Sequence, residues 1–230
     1  MERNSEDARN PGRERILARI RRALREPAPK PSESGTAGPI FAAVPDVVAR
    51  FQKECAGNNT ECVVVPDMRR APRAVAQVLA SVPAGEIFVQ DAPALRRMGP
   101  AWQEVRNVHW SSEGRASESS MATITLAETL VAQTGSIFVS AACGGRGASV
   151  VSPVHIVVAT TEQLVPDLDR AFARLRESGA AAKNSSLCLI TGSSRTADIE
   201  KIIVMGAHGP RRLVVVLALS SSWLPLTAEP

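Results

Sequence analysis

Short apolar runs rich in β-branched residues alternate with helical patterns along most of this 230-residue chain, from Glu61 onward. Several runs are apolar throughout, which is typical of strands in a parallel sheet that is covered on both faces. The pattern predicts an α/β protein with a Rossmann-like, open, mostly parallel sheet. The predicted strands are 61–65, 86–90, 105–109, 122–126, 136–140, 154–159, 187–191 and 213–218. The predicted helices are 45–56, 69–81, 92–98, 166–177 and 195–204.

The stretch 122–140 departs from this alternation, because two predicted strands follow each other with no helix between them. A turn at Thr134 and Gly135 separates them. Two strands joined by a turn indicate an antiparallel hairpin. We therefore predict a hairpin inserted into the otherwise parallel sheet.

The N-terminal 40 residues have a different composition from the rest. Residues 13–25, RERILARIRRALR, predict a basic amphipathic helix, and 26–39 are rich in Pro, Ser and Gly, as in a linker. The sequence thus predicts an arm over 1–40 and a single α/β domain over 41–222. The arm could pack on its own domain, on a neighbouring subunit of a homo-oligomer, or on a membrane surface. Its short apolar face without aromatic residues favours packing on protein.

The basic excess of the chain, a net charge of +4, lies in its first 30 residues. Residues 1–30 hold nine basic and five acidic residues, which leaves 18 of each kind in 31–230. A nucleic-acid-binding protein carries its basic residues on a folded face, and a single-strand binder also needs aromatic platforms. With a neutral body and 3% aromatic residues, the chain is not expected to bind nucleic acid.

The four cysteines form no CxxC pair, and no His lies at metal-ligand spacing from them. We expect them to be small apolar residues in a reducing compartment, with no metal or iron–sulfur cluster held by this chain alone. The charged N-terminus does not resemble a secretory signal, and no apolar run is long enough to span a bilayer. These features predict a cytoplasmic protein. The cysteines are Cys55, Cys62, Cys143 and Cys188.

The segment GSSRTADIE, residues 192–200, is the first candidate site. Gly192 permits a tight turn, and Ser193 and Ser194 could cap the predicted helix that follows. Backbone N–H groups at the start of a helix, together with Arg195, could hold a carboxylate or phosphate. The alternative is an ordinary helix cap with Arg195 paired to an acidic residue, Asp198 or Glu200.

His208 lies close behind this segment, in the turn MGAHGP. A histidine in such a loop could transfer a proton or simply hydrogen-bond to backbone, and the sequence leaves both open. His155, at the start of an apolar strand, is expected to be a core imidazole.

A second candidate cluster lies in 124–158. Glu128 is the only carboxylate in this stretch. Gly144, Gly145 and Gly147 surround Arg146 and form a loop that could approach a ligand closely, while Arg146 could neutralise a carboxylate. The loop matches neither a Walker A pattern nor GxGxxG.

GSSRTADIE, GAHGP, VHIVV and VPDL together resemble the lactate-utilization protein C family, or LUD domain, over about residues 45–219. The resemblance implies the superfold of the phosphosugar isomerases and CoA transferases. It also implies a role in the oxidation of lactate to pyruvate beside two iron–sulfur partner subunits. Those partners, rather than this chain, would carry the clusters.

The family pattern Ile-Thr-x-Ala-Asp falls on 124–128, with Glu128 in place of Asp, and its Thr-Gly falls on Thr134 and Gly135. Gln133 stands where an acidic residue is usual, and a neutral amide cannot act as a general base, which leaves Glu128. The resemblance thus makes Glu128 and His208 the predicted catalytic residues, with no metal ligands. The predicted ligand-binding residues are Thr134, Gly135, Arg146, Gly192, Ser194, Arg195 and Thr196.

Three functions follow from these observations. In the first, the chain binds a small carboxylate or a nucleotide-type ligand as a component of an iron–sulfur lactate-oxidising complex. In the second, it is a scaffold that holds the partners together without chemistry of its own. A third, based on the superfold alone, is an independent sugar-phosphate or CoA-ester enzyme, and one superfold hosts many functions.

Overall fold

Most of the apolar runs are strands in the computed structural model, which describes residues 11–25, 42–99, 102, 105, 107–197, 203–206 and 209–222. The helices are α1 (Pro11–Ala23), α2 (Val47–Gly57), α3 (Ala71–Leu79), α4 (Pro93–Arg96), α5 (Leu168–Glu177) and α6 (Ala180–Lys183). The strands are β1 (Thr60–Val65), β2 (Glu86–Val89), β3 (Val108–Trp110), β4 (Ser120–Leu126), β5 (Thr129–Val131), β6 (Ser136–Ser140), β7 (Val154–Thr160), β8 (Leu164–Val165), β9 (Leu187–Ile190), β10 (Arg195–Ala197), β11 (Ile203–Met205) and β12 (Arg212–Ala218).

Six strands form a parallel sheet in the order β1-β12-β7-β4-β2-β3. The central strands β7 and β12 are buried almost throughout. One face packs against α3, and the other packs against α2 and a second sheet. Because both faces are covered, runs such as LVVVLA need no polar alternation. The predicted α/β class with an open parallel sheet is confirmed.

The second sheet has the strand order β8-β5-β6-β9 and contains the predicted hairpin in a corrected form. The antiparallel pair is β5 and β6, whereas 122–126 belongs to β4 of the parallel sheet. The hairpin is therefore not inserted into the parallel sheet but lies on it. Its side chains alternate accordingly: Leu130 and Ile137 face the parallel sheet, and Val131 and Phe138 face the core beneath α5 and α6.

The predicted helix over 195–204 is wrong. This stretch contains β10 and β11, which pair as a two-stranded antiparallel sheet with Arg195 opposite Met205. The β-branched run Ile202-Ile203-Val204 favours a strand over the helical spacing that suggested a helix. Ser194 joins the ends of this hairpin instead of capping a helix: its N–H donates to Pro210 O at 2.8 Å, and its carbonyl accepts from Gly206 N at 2.9 Å.

The chain divides into two units, Met1–Ala42 and Ala43–Pro230. In the first, the predicted basic helix is present as α1, which has no buried residue. The predicted linker over 26–39 lies outside the described residues. No helix within the described ranges is both long and apolar enough to cross a membrane.

Candidate functional site

The predicted site residues fall at opposite edges of the parallel sheet. The carboxyl edge is where the six strands end, and Glu128 lies there, two residues beyond the end of β4. The amino edge is where they begin, and Asn58 and Asn59 precede β1 there. The β5–β6 hairpin connects the two edges, with Glu128 and Ser140 at one end and its turn against Asn58 at the other.

At the amino edge, the end of α2 gathers residues from both predicted segments. Asn58 Nδ2 donates to the Thr134 carbonyl at 2.9 Å, and Asn59 Nδ2 donates to Ser193 Oγ at 2.9 Å. Gly135, at φ +64°, packs so closely that a Cβ would lie 2.9 Å from Cys55 N. Thr134, Gly135 and Ser193 thus meet at this amino-edge junction.

Gly192 completes the amino-edge junction. Its φ is +88°, and a Cβ on it would overlap the Asn58 carbonyl oxygen. A chain of hydroxyl groups runs beside it, from Thr134 to Ser136 and from Ser136 to Thr191, each at 2.7 Å. The polar groups here bond one another, and they hold β9 and the β5–β6 turn against α2.

The two asparagines of the junction were missed by sequence reasoning. Asn59 has a φ of +57°, a left-handed conformation that Asn tolerates better than most residues. The sequence does contain a signal for them, because the two asparagines directly follow a helical pattern and Asn favours helix ends and turns.

The anion site that we predicted at the start of a helix after Gly192 does not exist in that form. Since 195–197 is a strand, there are no free N–H groups of a helix start, and the alternative of a helix cap fails for the same reason. Arg195 is exposed on β10, which also contains Thr196. His208 and the acidic residues Asp198 and Glu200 lie outside the described residues. Ligand binding by Gly192, Ser194, Arg195 and Thr196 stays a prediction.

The second predicted cluster lies beside an open cleft of about 700 Å³, here called the glycine-loop cleft. Ser111, which lines it, directly follows β3, so the cleft begins at the carboxyl edge, where open α/β sheets usually bind ligands. Its lining residues are Ser111, Gly114, Arg115, Ala116, Ala141, Ala142, Gly144, Gly145, Arg146, Gly147 and Ser185.

The local backbone conformation explains why this loop contains glycines. Gly144 and Gly145 have φ values of +105° and +95°, which strongly favour glycine. A Cβ on Gly144 would also lie 2.5 Å from the Phe88 ring and 2.9 Å from Ser111 Cβ. The chain therefore turns tightly over β2 and presents Arg146 at the start of a 3₁₀ turn, Arg146–Ser149.

Two arginines give the glycine-loop cleft its charge. Arg115 and Arg146 are both exposed, and the described residues that line the cleft include no carboxylate. No acidic side chain in the described ranges pairs with either of them, whereas Arg96 is paired with Asp91 at 2.7 Å. Arg115 was not among the predicted residues. It is 31 positions from Arg146, and no local motif marks it.

Glu128 lies behind the start of the glycine loop. It is half-buried and accepts a hydrogen bond of 2.5 Å from Ser140 Oγ. Ser140 is the last residue of β6 and comes just before the loop. Gln133 is at the other end of β5, where Arg50 donates to its carbonyl at 3.3 Å. A carboxylate at position 133 would therefore not stand beside Glu128, and the two positions cannot replace each other.

His155 is fully buried on the parallel sheet, as expected of a core imidazole. Its Nε2 lies 2.9 Å from Thr125 Oγ1, and burial lowers the pKa of the ring to about 4. Its Nδ1 and the Thr123 hydroxyl opposite it in register have no hydrogen-bond partner within the described part of the chain. The imidazole is therefore neutral at neutral pH.

All four cysteines are free, and burial raises the pKa of the Cys143 thiol to about 11, as for an unreactive core thiol. Among the residues that the structure describes, no three His, Cys, Asp or Glu side chains are grouped so that they could hold a metal ion.

Comparison with known proteins agrees with this architecture. The LUD domain family matches residues 48–218. "Lactate utilization protein C" of Geobacillus thermodenitrificans is 27% identical over 188 residues, which cover 75% of this chain and 78% of that protein. The protein of the same name from Bacillus subtilis is 24% identical over 190 residues, with the same coverage. The crystal structure of a DUF162 family protein from Deinococcus radiodurans superposes with a TM-score of 0.58 at 22% identity, covering 75% of this chain and 96% of that one.

The matched region includes the parallel sheet, the glycine-loop cleft and the amino-edge junction. The fold defines an α/β protein with an open parallel sheet, one face of which is covered by a second sheet that contains the hairpin. The chain belongs to the LUD domain family.

Proposed function

We propose that this protein acts in lactate utilization by binding a small carboxylate, such as lactate or pyruvate, in the glycine-loop cleft. The observation that carries the proposal is a pair of exposed arginines, Arg115 and Arg146, in one cleft. No described carboxylate pairs with either of them or lines the cleft. The name shared by relatives that match three quarters of the chain supports the substrate class.

The chemistry of the lining suits this ligand. A guanidinium group offers two parallel N–H donors to a carboxylate, and such charge-assisted bonds are stronger than neutral ones. The Ser111 hydroxyl accepts from Asp91 N at 2.8 Å and keeps its own O–H to donate, and it and the Ser185 hydroxyl can bond a second polar group on the ligand. The cleft of about 700 Å³ also has room for a nucleotide-type ligand, which is therefore included in the test.

The proposal includes partners. Oxidation of lactate to pyruvate releases two electrons and two protons, and the electrons need an acceptor. We assign that role to iron–sulfur clusters of partner subunits, since this chain contains no CxxC pair. Glu128 bonds Ser140 at the base of the loop and would position the loop, while its predicted catalytic role is a further part of the proposal.

Replacing Arg146 by Gln is expected to weaken lactate binding by about 10- to 150-fold, because a hydrogen bond to a charged group contributes about 1.5–3 kcal/mol. Arg115→Gln should have a similar effect. Isothermal titration calorimetry of the full chain with lactate, pyruvate and a nucleotide measures this. The matched control is Arg73→Gln, an exposed arginine on α3. Equal affinity in Arg146→Gln and Arg73→Gln, or no binding by the unaltered chain, would contradict the proposal.

A scaffold function is favoured by one observation, the apolar side of α1. Ile16 and Ile20 are 60% and 49% exposed on a helix that also contains five arginines. If α1 docks onto the iron–sulfur partners, deletion of residues 1–30 should abolish their co-purification with this chain. The experiment is a pull-down from cells that co-express the three proteins, with the full-length chain as control. Unchanged recovery of the partners would exclude the arm from docking.

A further inference from the structure

A second pocket opens at the amino edge of the parallel sheet. It encloses about 550 Å³ and is here called the amino-edge pocket. It begins where β7 and β12 start, since Pro153 precedes β7 and Arg211 precedes β12. None of its lining residues lines the glycine-loop cleft. The lining residues are Val150, Val151, Ser152, Pro153, Gly206, Gly209 and Arg211.

The pocket has a fixed backbone frame. The Pro153 carbonyl accepts from Arg211 N at 2.9 Å and from Arg212 N at 3.1 Å, which ties the two strand starts together. Gly206 has a φ of +75°, and a Cβ on it would overlap the Arg211 side chain. The stem of Arg211 therefore lies across Gly206 at the rim of the pocket.

Two polar groups of the pocket have no partner among the residues that the structure describes. Arg211 is exposed, and within the described ranges no carboxylate pairs with its guanidinium group. Ser152 is only 1% exposed, and its hydroxyl has no hydrogen-bond partner among the residues that the structure describes. A buried hydroxyl without a partner is rare in folded proteins, because leaving it unpaired costs free energy. The hydroxyl is covered in this structure, so an oxygen atom of a ligand would supply the missing partner once the side chains over it move aside.

The remaining lining residues indicate the chemistry of the uncharged part of the ligand. Val150 is 45% exposed, and Val151 and Pro153 add further apolar surface. Arg211 is the one cation among the described lining residues, and a single cation suits a singly charged group better than a doubly charged phosphate ester. The combination of one guanidinium group, one hydroxyl and an apolar wall fits a carboxylate with a short aliphatic chain.

We propose that the amino-edge pocket is a second ligand site, which binds a short aliphatic monocarboxylate through Arg211 and Ser152. The site is separate from the glycine-loop cleft and does not depend on the function proposed for that cleft. Its ligand carboxylate is held by Arg211, and the aliphatic chain lies against Val150.

Titration of the full chain with isobutyrate, followed by methyl NMR, tests the proposal. We expect a saturable shift of the Val150 methyl signals, which isobutyramide, the uncharged analogue, does not produce. Arg211→Gln keeps the stem over Gly206 but removes the charge, and should weaken binding at least about tenfold. Ser152→Ala should weaken it about three- to tenfold. Arg73→Gln should bind as the unaltered chain does.

The proposal is overturned if isobutyrate leaves the Val150 signals in place, if isobutyramide shifts them equally, or if Arg211→Gln binds with unchanged affinity. The Arg146→Gln variant separates the two sites, because it should retain the Val150 shift. Binding of isobutyrate without any binding of lactate in the cleft would uphold this pocket and contradict the proposed function. Loss of the Val150 response with normal lactate binding would do the reverse.

Discussion

Replacing Gly192 by Ala is expected to lower the free energy of unfolding by about 2–5 kcal/mol. Two effects add. An L-residue at a φ of +88° is strained, and the new methyl group would overlap the Asn58 carbonyl oxygen. Neither side can retreat easily, because Asn58 is bonded to Thr134 and Gly192 leads into Ser193, which is bonded to Asn59. Urea unfolding of the full chain measures the change through the midpoint and the slope.

Gly179→Ala is the matched control for this experiment. Gly179 has a φ of +72°, but a Cβ there would meet only the flexible side chain of Lys183, at 3.3 Å. Its cost is expected to be about 1–2 kcal/mol, from backbone strain alone. The difference between the two variants isolates the close approach of β9 to the end of α2. Equal losses in both would mean that this approach contributes nothing to stability.

The second large effect is the acid sensitivity that His155 gives to the fold. Burial lowers the pKa of His155 from 6.5 to about 4. Between these two pH values the unfolded chain binds a proton that the folded chain does not, so unfolding takes up a proton. The contribution of His155 to stability is therefore complete above pH 6.5 and is lost as the pH falls toward 4, by about 3 kcal/mol in all.

Unfolding free energies measured at intervals from pH 7.5 to pH 4 check this expectation. In His155→Gln, the part of the pH dependence between 6.5 and 4 that belongs to this ring should disappear. Thr125→Val, which removes the hydroxyl beside Nε2 but keeps the imidazole, should be less stable at every pH and retain the pH dependence. The assignment fails if His155→Gln and the unaltered chain lose stability in parallel.

The parallel sheet could be predicted because its strands are defined by local composition. β7 and β12 are continuous apolar runs. A strand that is covered on both faces can be recognised in a sequence by such a run. The stretch 195–204 was misread for a related reason. Its apolar residues also fit helical spacing, and only pairing with β11 decides that 195–197 is a strand.

The positions of the site residues depend on long-range pairing that spacing does not reveal. The prediction for Gly192 assumed that β9 ends at the carboxyl edge of a parallel sheet. β9 instead pairs antiparallel with β6 in the second sheet, which brings its end to Asn58 at the amino edge. Arg146 could be predicted from the sequence because glycines surround it. Arg115 lies between β3 and β4, and only the path of the chain there brings it to the cleft that Arg146 also lines.

The two ends of the β5–β6 hairpin contact different parts of the molecule, so residues near one end can be substituted without affecting the other. The glycine-loop cleft and the amino-edge junction share no residue, although one hairpin reaches both. Substitutions among the cleft loops can therefore change the lining of the cleft without removing the contacts that hold β9 and α2 in place. One end of the hairpin is free to vary in sequence while the other end preserves the fold.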